Sequence, residues 1–178
     1  MRFSDALSAL RTGPEKSGDR RLLNTVWTKE EGTQGTGLSS YSSYPAAAEY
    51  PRPQFMRDSW ISLNGIWEYA ITKDEFKPAR MDGSIQVPFS PECRLSGVER
   101  TLMPGEFLWY LREVSLGEIQ EGQRLILHFG AVDQQCTVWW NGKKVGKHSD
   151  GYLPFSFDVT GHIRTGRNLL CVRVQDDT

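Results

Sequence analysis

One dipeptide constrains this chain more than any other feature: Asn141-Gly142 stands between two β-prone runs, Cys136-Thr137-Val138-Trp139-Trp140 and Lys143-Lys144-Val145-Gly146. A two-residue turn that joins twisted antiparallel strands needs positive φ at both central positions, and Asn-Gly supplies them at low steric cost. The segment therefore reads as a β-hairpin. Since successive strand residues point to opposite faces, Trp139 and Trp140 must part company. One indole fills the core; the other is exposed, covered by another segment, or buried against another domain. A sugar ring lying on that second indole is the alternative use.

The same signature recurs along the chain. Leu63-Asn64-Gly65 turns into Ile66–Ile71, where Trp67, Tyr69 and Ile71 share a face. Further strands are expected over Ser84–Phe89, ended by Pro88 and Pro91, then Phe107–Val114, Arg124–Phe129, Phe155–Val159 and Leu169–Val174. In Arg124–Phe129 the alternation sends Leu125, Leu127 and Phe129 inward and His128 outward. Short strands with Gly and Pro turns, and no long amphipathic helix after Trp60, predict an all-β fold, a jelly-roll β-sandwich.

The first 49 residues differ. Phe3, Ala6, Leu7 and Leu10 have helical spacing, stopped at Gly13-Pro14, and Gly32–Tyr44 is rich in Gly, Ser and Thr and poor in aliphatics. Such a stretch buries too little to offset its ordering entropy, so residues 1–49 are expected to form an irregular flexible or wrapping arm. Tyr50-Pro51-Arg52-Pro53 then reads as a stiff, extended connector into a domain spanning 50–178.

Composition removes several function classes. With 21 basic and 22 acidic residues there is no cationic excess for phosphate backbones, so no nucleic-acid partner is expected. Neither a signal-peptide apolar core nor a run of about 18 apolar residues is present, so no membrane partner is expected either. Three cysteines (Cys93, Cys136 and Cys171), without Cys-x-x-Cys spacing, argue against a disulfide framework or a zinc site, and a cytoplasmic location is expected. Six Trp in 178 residues fit either a thick core or sugar-stacking platforms. No phosphate-cradling glycine loop has its strand and helix, and no nucleophile elbow accompanies the three histidines. No pair of carboxylates stands in a recognisable glycosidase setting, so no catalytic residue is assigned.

An ordered series of segments resembles glycoside hydrolase family 2, the β-galactosidases, β-glucuronidases and relatives. It comprises Tyr50-Pro-Arg-Pro-Gln54, Trp60-Ile-Ser-Leu-Asn-Gly-Ile-Trp67, Val87-Pro-Phe-Ser-Pro-Glu92, Leu108-Trp-Tyr-Leu-Arg112 and Leu127-His-Phe-Gly-Ala-Val-Asp133. Val138-Trp-Trp-Asn-Gly-Lys143, Val145–Phe155, Val159-Thr160 and Asn168–Val174 complete it. The resemblance covers about Tyr50 to Thr178, and Leu23-Asn-Thr-Val-Trp27 echoes a leader found in some members. It implies a galactose-binding-like, non-catalytic N-terminal sugar-binding domain that supports a catalytic barrel carrying two glutamates. This chain alone is then expected to be inactive. The resemblance further implies that Asp176 or Asp177, at the end of the last strand, helps shape a sugar pocket, with Glu92 a weaker rim candidate. A sodium ion near Asp176 or Asp177 would belong to the full-length enzyme only; no other cofactor or metal is implied. Expected partners are the downstream domains and, weakly, carbohydrate. A further strand beyond Thr178 is implied too, so the chain is expected to be a fragment, truncated at its C-terminal end. A stand-alone carbohydrate-binding module, or a scaffolding module of another hydrolase, remains the alternative.

Overall fold

The computed structural model describes residues 59–176. The arm, the connector and Asp177 lie outside that span. Within it, eight strands follow one another: β1 (Gly65–Thr72), β2 (Gly83–Val87), β3 (Phe107–Leu116), β4 (Ile126–Phe129), β5 (Val132–Trp140), β6 (Lys143–Asp150), β7 (Phe155–Asp158) and β8 (Gly166–Gln175). Two single-turn 3-10 segments, Arg94–Ser96 and Thr160–His162, interrupt the connections. Six strands form one antiparallel sheet in the order β2-β1-β3-β8-β5-β6, and β4 pairs with β7 in a second. This is the expected all-β sandwich.

Period-2 alternation decides what the core contains. Trp67, Ile85, Leu108, Val138, Trp140, Leu170, Val172 and Val174 come from the inward face of the large sheet, and Leu127 comes from β4 opposite. Leu125, Phe129, Phe155 and Phe157 pack against them from the small sheet's side. His128 points out and is exposed, as its strand's alternation requires. Each fully buried large aliphatic side chain contributes roughly 1.5–3 kcal/mol by leaving water. At the edge of this core Phe155 stacks between two rings, Phe129 at 4.8 Å and His148 at 4.0 Å.

The Asn-Gly hairpin forms as its sequence dictates, with φ of 51° at Asn141 and 78° at Gly142. Asn141 does more than turn the chain. Its Nδ2 donates to the carbonyl of His162 and to Asn168 Oδ1, both at 2.8 Å, and its Oδ1 accepts from the Leu169 amide at 2.9 Å. Asn168, only 1% exposed, is saturated: Oδ1 also accepts from Trp140 Nε1 (3.2 Å) and the Arg164 amide (2.8 Å), while Nδ2 donates to the Arg164 and Gly166 carbonyls. A buried amide is tolerable only with its partners supplied, and here they tie the hairpin to β8.

Most strand boundaries differ from the sequence expectation by a few residues, and two are instructive. β2 begins at Gly83 and stops at Val87, because Pro88 has no N–H for the ladder. β6 continues past Gly146 to Asp150, beyond the apolar run that marked the hairpin.

Candidate functional site

The outward face of the large sheet is where chemistry-bearing side chains collect, and the register lays them out in rows. Ser149, Gln135, Gln175 and Phe107 are successive neighbours across β6, β5, β8 and β3. Below them run Lys147, Thr137, Arg173, Trp109 and Ala70, and below those Lys144, Trp139, Cys171, Leu111 and Glu68. A polar corner near the end of β8 therefore abuts an aromatic block.

Within that block Trp109 and Trp139 stack at 5.5 Å with 25° between their planes. The Arg173 guanidinium lies 5.0 Å from the Phe107 ring centre, 5.7 Å from Trp109 and 5.9 Å from Trp139, a cation–π arrangement. It also anchors the β1–β2 connection. One terminal nitrogen donates to the Glu75 carbonyl at 2.7 Å and meets the Glu75 carboxylate at 3.4 Å. Trp109 Nε1 donates to Thr72 Oγ1, and Met81 packs into the same cluster. In the corner itself Gln135, Thr137, Lys147, Ser149, Arg173 and Gln175, together with Cys136 and His148, line a depression of about 60 Å³.

Asp176 follows Gln175 directly and is half-buried beside this corner; it makes contacts of its own and is not an idle terminus. Asp177 lies outside the described residues. Glu92 belongs to a different region, the β2–β3 connection, where it is exposed. Its carboxylate, after burial, is the second cause pushing the Tyr110 phenol well above its ordinary range. The connection is held by Glu106, whose carboxylate takes Arg100 at 2.7 Å and the Met103 amide at 3.1 Å. The structure thus sets Asp176 beside the outer-face corner and Glu92 beside Tyr110, and neither carboxylate lines a described pocket.

Neither of the two pockets described among these residues is walled by paired carboxylates. The larger, about 370 Å³ and open, has Glu121 as its one acidic lining residue. Among the described residues no group of three or more His, Cys, Asp or Glu side chains could hold a metal ion. These residues do not by themselves make the cation site that the resemblance implied, and no chemistry is assigned to one. Lys147, Arg173 and Gln135 were not singled out from sequence. Their clue lay in the hairpin, which puts Lys147 across from Thr137, two residues from Trp139 on the same face.

Residues 98–177 match the family model described as "Glycosyl hydrolases family 2, sugar binding domain". Over that stretch the chain is similar to the family 2 sugar-binding domain. A β-galactosidase of Thermoanaerobacter pseudethanolicus is 38% identical over 68 residues, covering 37% of this chain and 9% of that protein. The β-glucuronidase of Felis catus is 28% identical over 141 residues, or 68% of this chain and 21% of its own length. Among solved structures, the β-glucuronidase of Bifidobacterium dentium complexed with coumarin-3-O-glucuronide superposes with a TM-score of 0.54 at 28% identity, over 64% of this chain and 19% of that one. The Faecalibacterium prausnitzii β-glucuronidase gives 0.52 at 32% identity, over 64% and 20%. This chain spans a fifth or less of the length of these proteins, apart from the cat enzyme at 21%.

Proposed function

We propose that this domain serves a family 2 β-glycosidase, of β-galactosidase or β-glucuronidase type, as its non-catalytic N-terminal module. In that role it supports a barrel in which the glycosidic bond is cleaved, and Asp176, Asp177 and Glu92 rim the sugar pocket from this side. The single observation that carries the proposal is the match of residues 98–177 to the sugar-binding domain; among the described residues, the two pockets have no paired carboxyl groups of the kind that glycoside hydrolysis needs. Its direct partners are then the downstream domains of the parent enzyme. Cys93, Cys136 and Cys171 are free thiols, two of them buried, which supports a reducing, cytoplasmic setting.

The test is hydrolysis by the purified chain of 4-nitrophenyl β-D-glucuronide and β-D-galactoside. Release at the rate of a mock purification is expected. Turnover that co-purifies with the chain through successive columns overturns the non-catalytic assignment. The downstream coding sequence checks the rest: a continuing frame that encodes a barrel with two catalytic glutamates is expected.

A further inference from the structure

The turn that fixes the β5–β6 hairpin is also a reactive pair. In an Asn-Gly dipeptide no side chain hinders the glycine nitrogen, which can close on the asparagine carboxamide. At Asn141-Gly142 the Gly142 nitrogen bonds to Asn141 Cγ, the Cγ–Nδ2 bond breaks, and ammonia leaves with the Gly142 amide proton. Water then opens the succinimide at either carbonyl, giving an aspartyl or an isoaspartyl residue. Overall, one amide and one water become one acid and one ammonia, with no oxidant or cofactor.

Burial does not prevent this. Asn141 is half-buried and Gly142 is exposed, and a side chain built on Gly142 would meet nothing within 4 Å. Water and base therefore reach the turn. Bonding holds the carboxamide instead: Nδ2 is engaged by His162 and Asn168, and Oδ1 by Leu169. The Asn141 amide adds a bond to the Leu169 carbonyl at 2.8 Å. Cγ is free to swing onto the Gly142 nitrogen only after the side-chain bonds break, when the hairpin leaves β8.

The product has no place in the fold. Nδ2 faces two acceptors, the His162 carbonyl and Asn168 Oδ1, so a carboxylate there would set oxygen against oxygen. Asn168 cannot turn its amide round in compensation. Its Oδ1 also accepts from Trp140 Nε1 and the Arg164 amide, while its Nδ2 donates to the Arg164 and Gly166 carbonyls. The isoaspartyl form adds a backbone carbon to a two-residue turn, which throws β5 and β6 out of register.

We propose that Asn141-Gly142 is a spontaneous deamidation site that the fold holds shut, so that a chain whose hairpin stays open is converted and no longer refolds. The stability of the hairpin thereby controls a one-way covalent step.

The test ages the purified chain at mildly alkaline pH, folded or in urea, and maps the products by peptide mass and isoaspartate retention. In urea, position 141 should convert alongside Asn64-Gly65, the chain's other Asn-Gly pair. In the folded chain, conversion at position 141 should be slower than in urea by about tenfold or more. After dilution from urea, both products at position 141 should be depleted about tenfold in refolded monomer relative to the fraction that stays unfolded. Asp-Gly suits this turn as well as Asn-Gly does. Asn141→Asp should nevertheless lower the folded-to-unfolded ratio about tenfold, a loss that belongs to the contacts and not to the turn. Equal rates at position 141 in the folded chain and in urea, products shared evenly between refolded and unfolded chains, or an Asn141→Asp variant as stable as the parent each overturn the proposal.

Discussion

The two faces of the six-stranded sheet are built from the same strands by different physics. Inward, aliphatic side chains and the Trp67 and Trp140 indoles meet a second sheet, and the core is closed by complementary packing. Outward, a smaller cluster of Ala70, Trp109 and Cys171 is bordered by Met81, Phe107, Leu111 and Trp139, with Arg173 pressed among its rings. Among the described residues no second sheet covers it; the β1–β2 connection reaches over it through Glu75 and Met81. The inner face combines shape with one neutral, fully hydrogen-bonded amide at Asn168, whereas the outer one mixes shape with charge.

Adjacent tryptophans give the sharpest comparison, since Trp139 and Trp140 differ only in which way the strand turns them. Trp140 is 2% exposed, donates to Asn168 and lies in the main core. Trp140→Ala should cost about 3–5 kcal/mol, the range for emptying an aromatic-sized site. It also removes one donor from the Asn168 carbonyl. Trp139→Ala should cost about 1–2 kcal/mol, from one stacked pair and partial burial. Urea unfolding of the three proteins measures both, and equal losses would mean that the outer cluster is a second sealed core.

A smaller effect probes the seam between the sheets. At Gly146 an added Cβ would stand 2.2 Å from Cε1 of Phe157, well inside contact distance. Gly146→Ala should therefore destabilise the sandwich by about 1–3 kcal/mol through overpacking. Phe157→Leu in the same chain should recover part of the loss, a coupling that a double-mutant cycle reads directly. Additive losses would show that the Phe157 ring swings clear without cost.

How much of this was legible beforehand follows the range of each interaction. The hairpin, the parting of Trp139 from Trp140 and the inward set Leu125, Leu127 and Phe129 are consequences of local φ and period-2 geometry. They read directly from neighbouring residues. Asn168 did not, because a lone Asn in an apolar strand gives no hint that Trp140, Asn141 and Arg164 will converge on its amide from elsewhere in sequence. The outer-face corner was hidden for a related reason. Its rows depend on β5 pairing with both β6 and β8, and on the register shift between Val138 and Trp139, and no local pattern announces either. The resemblance directed attention to Asp176, at the corner's edge, and to Glu92, in another part of the fold.

The smallest expected effect contrasts both faces with an exposed point held by hydrogen bonds. Asp158, at the end of β7, accepts from the hydroxyl and amide of Thr160 through Oδ1 and from Arg124 through Oδ2. Thr160 Oγ1 in turn accepts from the Leu125 amide, so the carboxylate ties the approach to β4 onto β7. The Thr160 hydroxyl, then its amide, then Arg124 hold the carboxyl far below its ordinary 3.8. A folded-state value below the unfolded one means that the unfolded chain takes up protons first on acidification. The contribution is therefore complete above pH 4 to 5, roughly the unfolded carboxylate range, and drains away as pH falls toward the depressed value. Asp158→Asn should be slightly less stable than the parent at pH 7, with the gap closing steadily below about pH 4. Because the Thr160 hydroxyl bond, the one that Thr160→Val removes, ranks above Arg124, Thr160→Val should move the acid unfolding midpoint further than Arg124→Met. The reverse order would make this corner a simple ion pair, sensitive to salt in a way that neither face of the large sheet is.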